Sequence, residues 1–236
     1  MAQSLDDANW LFNFVVQDGN GVKGVADLGL LKVPVSYIQP PQERIDKQTV
    51  RTHAQSPIDL SKLDGPEHEQ VVKEIVRAAE TLGFFQVANH GVPIELLESL
   101  KEAAHSFFDQ SPEKKVVYRQ GVSPSPLVTY ATSFVPDKEK ALEWKDYVYM
   151  QYTTDSEALE HWPNEFKEVV LEYLKTSDHM LGVTLDDSKI DALVGFNKKI
   201  NINYYPPCPN PDLTIGVGRH MDIGILTTLL QDGIGV

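Results

Sequence analysis

Apolar positions at Val72, Ile75, Val76, Ala79 and Leu82 recur at three- and four-residue spacing. That spacing predicts an amphipathic helix from Pro66 to Leu82. Pro66 suits its first position and Gly83 its stop. Phe84–Val87 then reads as a short strand, closed by Asn89-His90-Gly91. A second helix opens at Pro93 and carries Leu96, Leu97, Leu100, Ala104, Phe107 and Phe108 on one face. Ser111-Pro112 caps a further short helix. Glu143–Met150 alternates in part and predicts a strand, and a helix follows over residues 163–180. Lys199–Tyr205 alternates strictly, the pattern of a half-buried strand. Leu213–Val217 and Ile223–Leu230 read as two more strands. Residues 1–56 contain Asp18-Gly19-Asn20-Gly21, Gly24, Pro34, Pro40 and Pro41. These turn signals predict an irregular leader.

The resulting class is α+β: a helical front followed by strands. Three regions divide the chain, an irregular leader at 1–56, a helix-rich part at 57–190 and a β part at 191–236.

Composition narrows the function. The chain has 236 residues, 42% of them hydrophobic, enough for a sizeable core. A net charge of −13 argues against non-specific binding to nucleic acid or anionic membrane. One cysteine, Cys208, excludes an internal disulfide and fits a reducing compartment. The first residues are acidic, and no targeting signal or membrane-length apolar run is present. A monomeric protein of the cytoplasm that binds a small molecule is the expectation.

The chemistry centres on Gly218-Arg219-His220-Met221-Asp222. His and Asp two apart on an extended backbone point to one side. An imidazole and a carboxylate so placed make two thirds of a 2-His-1-carboxylate site for Fe(II). With seven His and eighteen Asp, a His-x-Asp arises by chance in about half of such chains. Taken alone, the tripeptide is better explained by a loop His bonded to a nearby Asp. Upstream, Asn203 and Tyr205 share a strand face, where an amide and a phenol suit a small carboxylate ligand. Strand-end pairing and core packing are their structural alternatives. A zinc module that adds His161 or His179 to the pair is a third reading.

The longer run Asn203-Tyr204-Tyr205-Pro206-Pro207-Cys208-Pro209-Asn210-Pro211-Asp212-Leu213, followed by Gly216-Val217-Gly218-Arg219-His220-Met221-Asp222, resembles the plant 2-oxoglutarate- and Fe(II)-dependent dioxygenases. Gly83-Phe84-Phe85-Gln86-Val87-Ala88-Asn89-His90-Gly91-Val92 is similar to their N-terminal signature. Phe14–Gly24 and Ala141–Tyr147 resemble one subgroup, the coumaroyl-CoA/feruloyl-CoA ortho-hydroxylases. The resemblance implies a double-stranded β-helix (jelly-roll) core, of which 191–236 holds the first strands. It implies iron ligation by His220 and Asp222, with Asn203 and Tyr205 beside 2-oxoglutarate. It leaves His90 a structural turn residue.

The implied reaction couples decarboxylation of 2-oxoglutarate to ortho-hydroxylation of a hydroxycinnamoyl-CoA, a step of coumarin biosynthesis. Fe(II), 2-oxoglutarate and O₂ take part, and ascorbate is a candidate accessory. A coumarin, flavonoid or alkaloid is the alternative substrate, and a non-catalytic relative the alternative role. A polyanionic acyl-CoA needs local cations against the acidic whole. Lys114, Lys115, Arg119, Lys145, Lys198, Lys199 and Arg219 are the candidates, Arg219 first because it adjoins His220.

Two features depart from the family. Its third iron ligand is a later His, and its Arg-x-Ser pairs with 2-oxoglutarate. The fourteen residues after Asp222 contain neither. The helix at 163–180 also runs early into an Asp-rich loop. The expectation is a chain truncated at its C-terminus that does not turn over by itself.

Overall fold

In the computed structural model, residues 6–44, 56–133, 141–177, 198–220, 222 and 226–233 are described. The leader is helical rather than irregular. Helix α1 (Ala8–Phe12) starts at Asp7, whose carboxylate accepts from the Asn9 and Trp10 N–H groups. It widens into a π-helical turn over Asn13–Gln17 and is followed by α2 (Gly21–Asp27). Trp10 and Phe14, four apart, stack with ring centres 5.0 Å from each other. Leu11, Val15, Val22, Val25, Val33 and Tyr37 are buried with Leu142 and Trp144 in one apolar cluster. Gly19 lies between the π-helical turn and α2, while Gly21 and Gly24 are within α2.

Strand β1 (Ile58–Asp59) pairs in parallel with β2 (Val87–Ala88), and α3 (His68–Leu82) lies between them in sequence. The buried face of α3 is Val71 and Ala78, with Ile75 at its edge. Val72 and Val76, expected inside, are exposed. The helix turns the 71/75/78 row toward Ile58, Leu60 and Leu63. Helix α4 (Ile94–Phe108) follows, then α5 (Pro112–Lys115) behind the Ser111-Pro112 start.

Strands β3 (Val128–Thr132) and β4 (Asp146–Tyr152), helices α6 (Asp155–His161) and α7 (Lys167–Ser177), and β5 (Lys198–Tyr204) complete the described elements. The sheet order is β3-β4-β5, all antiparallel. Val128, Tyr130, Val148 and Met150 are buried against Phe107 and Phe108 of α4 and Val170, Leu171 and Leu174 of α7. Ile200, Ile202 and Tyr204 pack on that core, while Asn201 and Asn203 are exposed, as strict alternation demands. Tyr204 stacks on Phe108 at 4.9 Å. Neither β3 nor α6 was foreseen.

Two expected strands are absent among the described residues. Residues 213–217 form a loop folded on a turn from Asn210 to Leu213. Its backbone meets other segments by single bonds, not by a ladder. Residues 226–230 have no strand partner, and Leu226 and Leu229 are exposed. An apolar run becomes strand only where another strand pairs with it. Residues 223–225 and 178–197, which include His179 and the early helix end, lie outside the described residues.

The leader meets the sheet at Asp146. This carboxylate is fully buried and accepts from the N–H groups of Val22 (2.8 Å) and Lys23 (2.9 Å). Gly21 makes the approach possible, with φ of +73° at nearby Gly19 and +69° at Gly21 itself. A Cβ at Gly21 would lie 2.5 Å from both Asp146 Oδ2 and Tyr130 Oη. Gly21→Ala is therefore expected to cost about 1–3 kcal/mol through overpacking and backbone strain. Urea unfolding would measure it.

Candidate active site

Glu143 and Trp144, just before β4, hold the site loop. The Trp144 N–H donates to the Ile215 carbonyl (2.8 Å) and Trp144 Nε1 to the Pro206 carbonyl (3.0 Å). Glu143 Oε1 accepts the Gly218 N–H at 2.6 Å. Lys145 Nζ stands 2.7 Å from Glu143 Oε2. Behind them the leader adds two contacts: the Gln39 N–H donates to the Leu213 carbonyl, and Asn210 Oδ1 accepts the Val33 N–H. Within the loop, Cys208 Sγ lies 3.2 Å from Thr214 Oγ1. Residues 206–218 are thus tied from two sides.

At the end of this loop His220 Nε2 faces Asp222 Oδ1 at 3.5 Å. His220 Nδ1 lies 2.9 Å from the Gly218 carbonyl. A carbonyl only accepts, so Nδ1 is the donor in that contact. In the neutral ring Nε2 then offers its lone pair on the side of the Asp222 carboxylate. That arrangement fits a divalent cation, with the backbone carbonyl setting the ring orientation. Among the described residues, no third His, Cys, Asp or Glu joins them. His161, the zinc-module candidate, ends α6, which packs on α7 and β4.

Tyr205 lies just past β5 with its ring over Gly216, where a Cβ would fall 2.7 Å from the ring carbons. That seat places the ring on the same loop as His220. Burial and the negative Glu143 push the Tyr205 phenol pKa upward, so it stays a hydrogen-bond donor. Asn203 is exposed, opposite Tyr147 in the register, and its Oδ1 accepts from Asn201 Nδ2. His90 Nδ1 accepts the Val92 N–H in its turn, a structural role.

The cation list shrinks. Lys115 is buried, donates to the Phe108 carbonyl, and has its pKa lowered by that burial. Arg119 donates to the carbonyls of Val16 and Gln17. Lys145 is engaged by Glu143. Arg219 is exposed beside the pair. The anchoring role of Glu143 and Trp144 escaped the sequence reading, although Ala141–Tyr147 was a recognised motif.

Comparison with known proteins identifies the family. Residues 56–168 match the family described as non-haem dioxygenase in morphine synthesis N-terminal, and residues 196–236 match the 2OG-Fe(II) oxygenase superfamily. Scopoletin 8-hydroxylase of Arabidopsis thaliana is 59% identical over 100% of this chain and 69% of its own length. The chain belongs to the plant 2-oxoglutarate- and Fe(II)-dependent dioxygenases. A bi-functional coumaroyl CoA and feruloyl CoA ortho-hydroxylase of Ipomoea batatas is 47% identical over 98% of the chain and 66% of its length. The crystal structure of JOX2 in complex with 2OG, Fe and JA aligns with a TM-score of 0.65 at 28% identity, covering 84% of this chain and 60% of that one. The chain therefore spans about two thirds of the length of these relatives. Fe(II), 2-oxoglutarate and O₂ are the family's cofactor and co-substrates. Among the described residues, no helix is long and apolar enough to cross a membrane.

Proposed function

We propose that this protein hydroxylates a phenolic of the coumarin pathway, with a hydroxycoumarin such as scopoletin as substrate. The observation that carries this reading is the 59% identity with scopoletin 8-hydroxylase along the whole chain, against 47% for the acyl-CoA enzyme. In this proposal His220 and Asp222 hold the iron. Bound Fe(II) with 2-oxoglutarate supplies the oxidising power that puts one atom of O₂ on the ring and the other into succinate. Asn203 and Tyr205 orient the 2-oxoglutarate, the first as an amide and the second as a neutral phenol. The tethered loop keeps Tyr205 and His220 in place.

A hydroxycinnamoyl-CoA is the second reading. Arg219 favours it, since its exposed guanidinium beside His220 suits a phosphate or carboxylate. The protein is to be given Fe(II), 2-oxoglutarate and either scopoletin or feruloyl-CoA. Mass spectrometry then follows oxygen incorporation and succinate. Hydroxylated scopoletin is expected. Oxidation of feruloyl-CoA alone selects the second reading, and neither product removes both.

A further inference from the structure

We propose that Glu143 is a positioning residue for the iron-facing side of His220. The inference rests on His220 being an iron ligand. Three contacts run in series. Lys145 Nζ meets Glu143 Oε2 at 2.7 Å, Glu143 Oε1 accepts the Gly218 N–H at 2.6 Å, and the Gly218 carbonyl accepts from His220 Nδ1 at 2.9 Å. Gly218 has no side chain, so its orientation depends on what grips its backbone. Glu143 grips the N–H, and the imidazole hangs from the carbonyl of the same residue.

The charge pattern suits the task. A bond from an N–H to a carboxylate is short and about twice as strong as a neutral one. The Glu143 and Lys145 side chains are only 23% and 13% exposed, so water competes little for either. Lys145 balances the Glu143 charge. The carboxylate therefore acts through Gly218 without drawing the cation away from His220 and Asp222. Without Glu143 the Gly218 N–H loses its acceptor, and the turn that presents the Gly218 carbonyl to His220 Nδ1 is less constrained. Metal-ligating histidines are held by such outer contacts, and removing one weakens metal binding about 10–100-fold.

The experiment uses the ¹⁵N-labelled 236-residue chain and Mn(II) as probe. Line broadening at His220 gives the metal concentration at half effect, and the imidazole ¹⁵N shifts give the tautomer without metal. Glu143→Ala is expected to raise that concentration about 10–100-fold and to mix the tautomers. Glu143→Gln keeps an oxygen for the Gly218 N–H but loses the charge, and is expected to fall between the parent and Glu143→Ala. If Glu143→Ala does not fold, Glu143→Asp, too short to span to Gly218, replaces it under the same outcomes. A folded variant with unchanged midpoint and tautomer overturns the proposal. His220→Ala separates the two layers. Broadening at residues 218–222 that survives His220→Ala refutes the iron site itself, whatever Glu143 does.

Discussion

Replacing Asp146 by alanine is expected to lower stability by about 3–5 kcal/mol, since it strands one buried and one half-buried N–H donor and opens a void beneath the leader. The Val22 and Lys23 amides at the start of α2 have this carboxylate as their acceptor. Ionisation adds a pH signature. Burial lifts the Asp146 pKa to about 6, against the opposing pull of the Lys23 and Val22 N–H bonds and the Lys115 charge. The unfolded value is near 3.9. Between these values the folded state binds the extra proton, so this group's stabilisation is complete below about pH 4. It fades as pH rises through about 6. Asp146→Asn cannot titrate. Relative to it, the parent is expected to gain about 1.4 kcal/mol between pH 7 and pH 5. Urea unfolding of both proteins at the two pH values measures the difference. Exposed carboxylates with lowered pKa, such as Asp59 and Asp155, act in the opposite sense but cancel in the comparison.

Trp144→Ala is expected to cost about 3–5 kcal/mol as well, by the usual penalty for deleting a buried aromatic. Trp144 is 3% exposed, with its ring edge-on to Tyr37 at 5.0 Å. Its Nε1–H reaches the Pro206 carbonyl. Trp144→Phe keeps a ring against Tyr37 but gives up that donor, and about 1 kcal/mol is expected for it. Thermal unfolding ranks the two. Substrate affinity gives a second readout, because the indole ties down the loop that carries Tyr205 and His220. The alanine variant is expected to lose affinity beyond its loss of stability. Equal affinity in the folded fractions of parent and variant would show that the indole serves packing alone.

The parts of the fold legible in the sequence are those written in local spacing. Helices α3 and α4 announce themselves by apolar rows and flanking Pro and Gly, and β5 by alternation. The facing of α3 did not follow, because Val71 and Val72 are equally apolar and only the packed neighbours Leu60 and Leu63 choose between them. The leader helices were hidden by glycines that look like loop markers. Asp7 as a cap, with Trp10 and Phe14 four apart, was the signal available. His220 and Asp222 were legible as a tripeptide with a matching context. Glu143 was not, because its partner lies 75 residues away and no local pattern encodes that pairing. Leu213–Val217 misled in the opposite way: its apolar residues fit a strand, but its bonds go to single residues on three segments.

The hydrogen bond between Asp146 and Val22 spans 124 positions. On the ribosome the leader emerges first, yet its docking carboxylate is made far later. Chain emergence at about 5–20 residues per second puts at least several seconds between the two. Through that interval the apolar residues of α1 and α2 have neither Trp144 nor Asp146 to cover them. The leader's docking is thus set by the synthesis of residues 142–146 rather than by its own completion.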